Sequence, residues 1–151
     1  MRRPPQGRYL EHRTHVRVRF QEVDSLQVVW HGHYLSYFED VRVALGRRYG
    51  LRYDDIRNAG LRAPVVHLSC DFLAPARFDD ELELRARLFE REEAKIEFHY
   101  EVFNVGTAAL LATGRTVQVF TDERDELLLT LPPFMCAFYE RWRDTMQGSH
   151  G

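Results

Sequence analysis

Phe20–Arg42 reads FQEVDSLQVVWHGHYLSYFEDVR, and the fold turns on a change of period at its centre. Just upstream, HRTHVRVRF (His12–Phe20) alternates, with Val16, Val18 and Phe20 on one face and His15, Arg17 and Arg19 on the other. Period two predicts a half-buried strand. Downstream, Tyr34, Phe38, Val41 and Leu45 recur at i, i+4, i+7 and i+11, the stripe of a core-facing helix. Arg47 and Arg48 suit the negative C-terminal end of that helix, and Gly50 suits its C-cap. Glu22, Asp24, His31 and His33 sit where strand gives way to helix, around the apolar triplet Val28-Val29-Trp30.

Beyond Gly50, YDDIRNAG predicts a short helical turn closed by Gly60. Four alternating segments follow. They carry Val66, Leu68, Cys70 and Phe72; Leu82, Leu84, Ala86 and Leu88; Ile96, Phe98, Tyr100 and Val102; and Val117 with Val119, Phe120 lying on the other side. Turn residues separate them, at Phe78-Asp79-Asp80, EREEA, Asn104-Val105-Gly106 and DERDE. A last helix is expected after Pro132-Pro133, with Phe134, Phe138 and Trp142 at helical spacing. Consecutive strands joined by tight turns pair antiparallel, so the class is α+β: one long helix against a sheet of about five strands, with a short C-terminal helix. Residues 1–11 are expected to be a flexible arm, residues 12–145 a single domain and residues 146–151 a frayed tail. An open sheet edge is commonly covered by another subunit, which predicts a homodimer or a dimer of dimers.

Composition removes several function classes. A chain of 151 residues with formal net charge -2 carries no basic field for nucleic acid or an anionic membrane. No window approaches the roughly 20 apolar residues of a membrane span, and Pro4-Pro5 in a polar N-terminus argues against a signal peptide. Cys70 and Cys136 have neither metal-site nor disulfide-scaffold spacing, so a reducing cytoplasm is the expected setting. There is no G-x-S-x-G elbow and no glycine-rich phosphate loop.

Three readings of the junction remain. His31 and His33 with Glu22 and Asp24 are legitimate metal ligands, but positions i and i+2 of a helix point about 200° apart. A carboxylate beside a helix N-terminus suits acyl transfer: unsatisfied N–H groups polarise a carbonyl while the carboxylate attacks it or activates water. Asp24-Ser25 as an ordinary turn is the plain alternative.

At these residues the chain resembles the 4-hydroxybenzoyl-CoA thioesterase-like branch of the hotdog-fold thioesterases. Glu22-Val23-Asp24 matches that branch's acidic pair, Val28 to His31 its apolar–aromatic–His run, and Tyr34, Phe38, Glu39 and Arg42 its long helix. Pro64, Phe72, Pro75 and Asp80-Glu81-Leu82 match further on, so that the likeness spans about residues 12–140. It implies a helix wrapped by an antiparallel sheet, paired subunits with sites between them, and hydrolysis of an acyl-CoA or acyl-carrier-protein thioester without metal or organic cofactor. Asp24 then stands at the catalytic carboxylate, as nucleophile or general base, and the backbone N–H of His31 at the carbonyl donor. Trp30, Tyr34, Glu39, Val65 and His67 are placed at the substrate. Plainer alternatives are an ion pair between Glu39 and Arg42 and a solvated strand position for His67. Glu22 is expected to support the loop.

Two departures stand out: Gln27 replaces the family's glycine after the Asp, and the EREEA turn is acidic where some members carry cations for the nucleotide phosphates, leaving Arg91 and Lys95 to serve. Fold resemblance alone leaves open an idle acyl-binding or scaffold protein, or a dehydratase.

Overall fold

The computed structural model describes residues 5–148. The ends of the expected arm and tail, residues 1–4 and 149–151, lie outside the described residues. In chain order the elements are β1 (Tyr9–Arg17), a 3-10 turn (Phe20–Glu22), α1 (His33–Tyr49), α2 (Tyr53–Asn58), β2 (Val65–Phe72), β3 (Glu81–Phe89), β4 (Lys95–Asn104), β5 (Leu110–Val119) and α3 (Pro133–Trp142), with a 3-10 turn (Arg143–Thr145) at the end. The strands form one antiparallel sheet in the order β1-β3-β4-β5-β2. This is the α+β architecture that the change of period predicts.

The apolar stripe of α1 lies on one face of that sheet. Tyr34, Phe38, Val41 and Leu45 are buried, joined by Tyr37 and Tyr49, and they pack over Leu82, Leu84, Ala86 and Leu88 of β3 and Ile96, Phe98, Tyr100 and Val102 of β4. The helix ends as its sequence predicts: Gly50 is left-handed (φ 80°) and donates its N–H to the Gly46 carbonyl.

Two boundaries differ from the sequence reading. β1 starts at Tyr9, inside the expected arm, because Leu10 is fully buried and the Tyr9 ring packs on Phe89 at 5.2 Å. The expected tail contributes to the same edge. Gln147 exchanges two backbone hydrogen bonds with Tyr9, at 2.8 and 2.9 Å. The apolar face of β5 also differs. Register places Ala112, Gly114 and Thr116 beside Val102, Tyr100 and Phe98 on the helix side, whereas Val117 pairs with Glu97 on the outer face. The helix-side residues are small because α1 approaches closely: a Cβ on Gly114 would lie 2.3 Å from the Phe38 ring, which itself stacks on Tyr100 at 4.5 Å.

β2 is the incomplete edge. Among the described residues it pairs with β5 alone, and α1 covers its helix-side residues only in part. Leu68, Phe72 and the adjoining Leu73 are 43%, 53% and 58% exposed. On the outer face, Glu97 is held by Arg91 (3.1 Å), Lys95 (3.4 Å), Arg115 (3.2 Å) and His99 (2.8 Å). The His99 contact above all, then Arg91 and Arg115, pushes the Glu97 carboxyl far below the ordinary carboxylate range, against the opposing effect of burial. Arg91 and Lys95 are thus already paired with a carboxylate.

Candidate active site

The loop between the first 3-10 turn and α1 folds back on itself. Asp24 donates its N–H to the Val28 carbonyl (2.9 Å), and Gln27 donates to the Asp24 carbonyl (2.9 Å). The turn is pinned to the chain between β2 and β3, where Val29 donates to Ala76 (2.8 Å), and Trp30 donates to the Glu22 carbonyl (2.9 Å). The Glu22 carboxylate accepts the Arg19 N–H (2.8 Å) and the Tyr37 hydroxyl (3.1 Å), tying the loop to α1. Burial first, and then this carboxylate, raises the Tyr37 pKa, so its hydroxyl stays protonated and donating. Glu22 therefore supports the loop, as the sequence suggests.

Gln27 holds φ at 64°, the left-handed region. That region costs an L-residue roughly 1–2 kcal/mol, and glycine enters it freely. The family's glycine at this position thus has a backbone reason that this chain forgoes. Gln27→Gly is expected to raise Tm by about 2–4 °C, equivalent to ~1 kcal/mol, measured by thermal unfolding. An unchanged or lower Tm would show that the Gln27 side chain compensates for the strain.

Asp24 combines the turn and the chemical readings. Its Oδ1 accepts the Leu26 N–H at 2.8 Å, an Asx turn, while its Oδ2 has no hydrogen-bond partner among the described residues. A few residues on, α1 begins at His33 with Gly32 as its N-cap and no capping side chain. His33, Tyr34 and Leu35 donate back to Trp30, His31 and Gly32, but the N–H groups of His31 and Gly32 donate to nothing among the described residues. One loop therefore offers a half-buried carboxylate with a free oxygen and two free donors at a helix start. The helix proper starts two residues after His31, so its N–H belongs to the entry turn.

Aromatic rings surround those donors. Trp30 lies against His31 (4.8 Å) and His33 (5.6 Å), and Phe72, at the end of β2, meets His31 (6.4 Å) and Tyr34 (5.2 Å) edge to face. Gly32 permits this arrangement, because a Cβ there would fall within 2.0 Å of the Trp30 ring. Of the residues that the sequence placed at the substrate, Trp30 and Tyr34 are thus gathered with His31.

The others are elsewhere. Glu39 and Val65 line a separate 610 Å³ cavity, together with Arg42, Val43, Tyr53 and Phe98. Glu39 forms no ion pair with Arg42, so the plain alternative for that pair is not realised among the described residues. His67 takes the solvated strand position that the sequence offers as its plainer alternative to lining the partner's side of the pocket. It pairs with Val117 on the outer face of the sheet, away from α1 and this cavity, so it does not line the cavity within its own chain. The sequence missed Phe72 as a ring of the site. It was placed with the core parity of its strand, and only the position of the His31 loop reveals its second neighbour. No cluster of three or more metal-ligating side chains occurs among the described residues.

A five-stranded antiparallel sheet packed on one long helix, with an acidic loop at the helix start, is a hotdog architecture. The sequence profile of the thioesterase-like superfamily matches residues 18–139, and the chain belongs to that family. Among solved structures, the hypothetical protein TT1821 from Thermus thermophilus superposes with a TM-score of 0.73 and 34% identity, covering 85% of this chain and 97% of that one. Slr0204, a 1,4-dihydroxy-2-naphthoyl-CoA thioesterase from Synechocystis, superposes with a TM-score of 0.75 over 85% of this chain and 94% of that one; at 22% identity the likeness concerns the fold. The acyl-CoA thioester hydrolase YbgC of Escherichia coli O6:H1 is 24% identical over 95 residues, 63% of this chain and 71% of its own.

Proposed function

We propose that this protein is a cytoplasmic thioesterase that hydrolyses an acyl-CoA or acyl-carrier-protein thioester, with Asp24 as its reactive carboxylate. The observation that carries this reading is the single pinned loop presenting the free Asp24 Oδ2 and the free His31 and Gly32 N–H groups, in a chain of the thioesterase-like superfamily. The N–H groups receive the thioester oxygen as it gains negative charge. Asp24 either attacks the carbonyl carbon, giving an anhydride that water opens, or takes the proton of an attacking water. In both cases the C–S bond breaks and the sulfur leaves as the thiol. Among the described residues no helix is long and apolar enough to cross a membrane, and Cys70 and Cys136 are free, in keeping with a reducing compartment. Release of free thiol from a panel of short, long and aromatic acyl-CoA and carrier-protein thioesters tests the reading. No turnover on any of them would leave an acyl-binding or scaffold protein instead.

The working unit is a homodimer formed edge to edge through β2. An isologous antiparallel pair places the Val65 end of one β2 beside the Phe72 end of the other. The cavity at Glu39 and Val65 of one protomer would then adjoin the Asp24 and His31 loop of its partner, reuniting residues that one chain holds apart. Exposed apolar side chains on an unpaired edge support this pairing. Leu68→Glu is expected to convert the dimer to a monomer in sedimentation analysis and to abolish turnover. A wild-type chain that sediments as a monomer at micromolar concentration would overturn the pairing.

A further inference from the structure

The 610 Å³ cavity lies between the side of α1 that carries Glu39, Arg42, Val43 and Arg47 and the strands that carry Val65, Ile96, Phe98 and Gln118. Its volume falls in the usual range for small-molecule pockets. Much of its wall is apolar, with Leu51, Ile56 and Ala63 closing the far side. Its charged residues are Glu39, Arg42, Arg47, Arg52 and Asp54, and of these all but Arg42 are exposed. Arg42 as a whole is half-buried, and among the described residues it forms no ion pair. Its one hydrogen bond is long, from Nη1 to the Tyr100 hydroxyl at 3.5 Å. That hydroxyl is shared in turn with Thr116 Oγ1 at 2.6 Å, and both residues are fully buried.

A guanidinium has five N–H donors in a rigid fork, and among the described residues only one long hydrogen bond uses them. The other charged residues of the lining do not supply Arg42 with an anion. Arg52 is paired with Asp55 at 3.2 Å, whereas Glu39 and Asp54 are exposed and remain unpaired with Arg42. Arg42 reaches the buried Tyr100 hydroxyl and so sits deeper than the exposed Glu39, leaving a cationic floor beneath a mixed rim.

The geometry points to an acyl pocket selective for a chain whose far end carries a second carboxylate, bound by the Arg42 fork. This rests on the thioesterase reading, and on the β2 pairing that brings the partner's reactive loop to this cavity, and deepens it: the substrate is the mono-thioester of a dicarboxylic acid. The apolar walls take the methylene chain and Arg42 takes the terminal carboxylate in two parallel hydrogen bonds.

The test uses purified full-length protein and CoA thioesters from butanoyl to decanoyl, each alongside its ω-carboxy and ω-amino counterparts. At the best-fitting length, kcat/KM for the ω-carboxy thioester is expected to exceed that of the methyl-ended one by roughly 10-fold or more. Arg42→Gln should bring that ratio close to unity, and Arg42→Lys should restore part of it, with circular dichroism confirming that both variants fold. Preference for methyl-ended or amine-ended chains at every length would overturn the proposal, as would an unchanged ratio in Arg42→Gln. Should no thioester be cleaved, the thioesterase reading fails by itself and calorimetry decides the pocket. Saturable binding of free suberate but not octanoate, lost in Arg42→Gln, would uphold the carboxylate site; no binding of suberate would end it.

Discussion

Asp24→Asn is expected to lower kcat by about 10²-fold or more, the usual consequence of losing an acid–base or nucleophilic carboxylate, with little change in Tm. The separation of the two effects follows from the Asp24 contacts. The turn needs only an oxygen that accepts the Leu26 N–H, now Oδ1 at 2.8 Å, and the asparagine amide oxygen serves equally well. The oxygen proposed to react is the other one, and asparagine replaces it with an NH₂ group that neither attacks a carbonyl nor accepts a proton from water. Turnover measured by thiol release, beside thermal unfolding of the same preparations, distinguishes chemistry from folding. Equal kcat for mutant and wild type would remove Asp24 from the mechanism. Single turnover in ¹⁸O water then tests the anhydride route: label entering the Asp24 carboxylate shows that water opened an anhydride at the Asp24 carbonyl carbon.

Gly114→Ala is expected to destabilise the fold by about 2–3 kcal/mol, the upper part of the range for forcing atoms into a packed core, which lowers Tm by roughly 5–10 °C. Intrinsic preference runs the other way, since alanine is favoured over glycine within a strand. The cause is steric: the added Cβ would lie 2.3–2.4 Å from the Phe38 ring and 3.1 Å from the Ser69 carbonyl oxygen. Phe38 cannot readily move aside, being fully buried and stacked on Tyr100. Phe38→Leu in the Gly114→Ala background should recover part of the loss, a non-additivity that a double-mutant cycle measures. A Gly114→Ala protein as stable as wild type would show that the helix can lift from the sheet without cost.

These two residues differ in how far sequence reveals them. Asp24 is legible because acid, aromatic and helix start are neighbours in the chain, and one loop builds the whole arrangement. Gln27 is half-legible: a missing glycine marks the place, and the backbone angle of 64° gives the reason. Gly114 is silent. It lies in a segment whose alternation suggested Val117 and Val119 as the core face, and only the register with β4 and the passage of Phe38 make it indispensable. Tyr9 and Leu10 were hidden differently, by charged neighbours that look like an arm until β3 pairs with them.

The sequence by itself determined the elements, their order and the acidic loop proposed as the site, because period, caps and turns are set by residues a few positions apart. It placed Asp24, His31, Trp30 and Tyr34 together for the same reason. Tertiary structure alone decided which side chains meet from distant segments: Phe72 with His31, Glu39 and Arg42 with Val65 across a cavity, and His67 on the opposite face of the sheet. Strand register and the path of α1 fix those meetings. A shift of one residue in register would turn every side chain of a strand to the other face, and no local pattern encodes the partner against which that register is set.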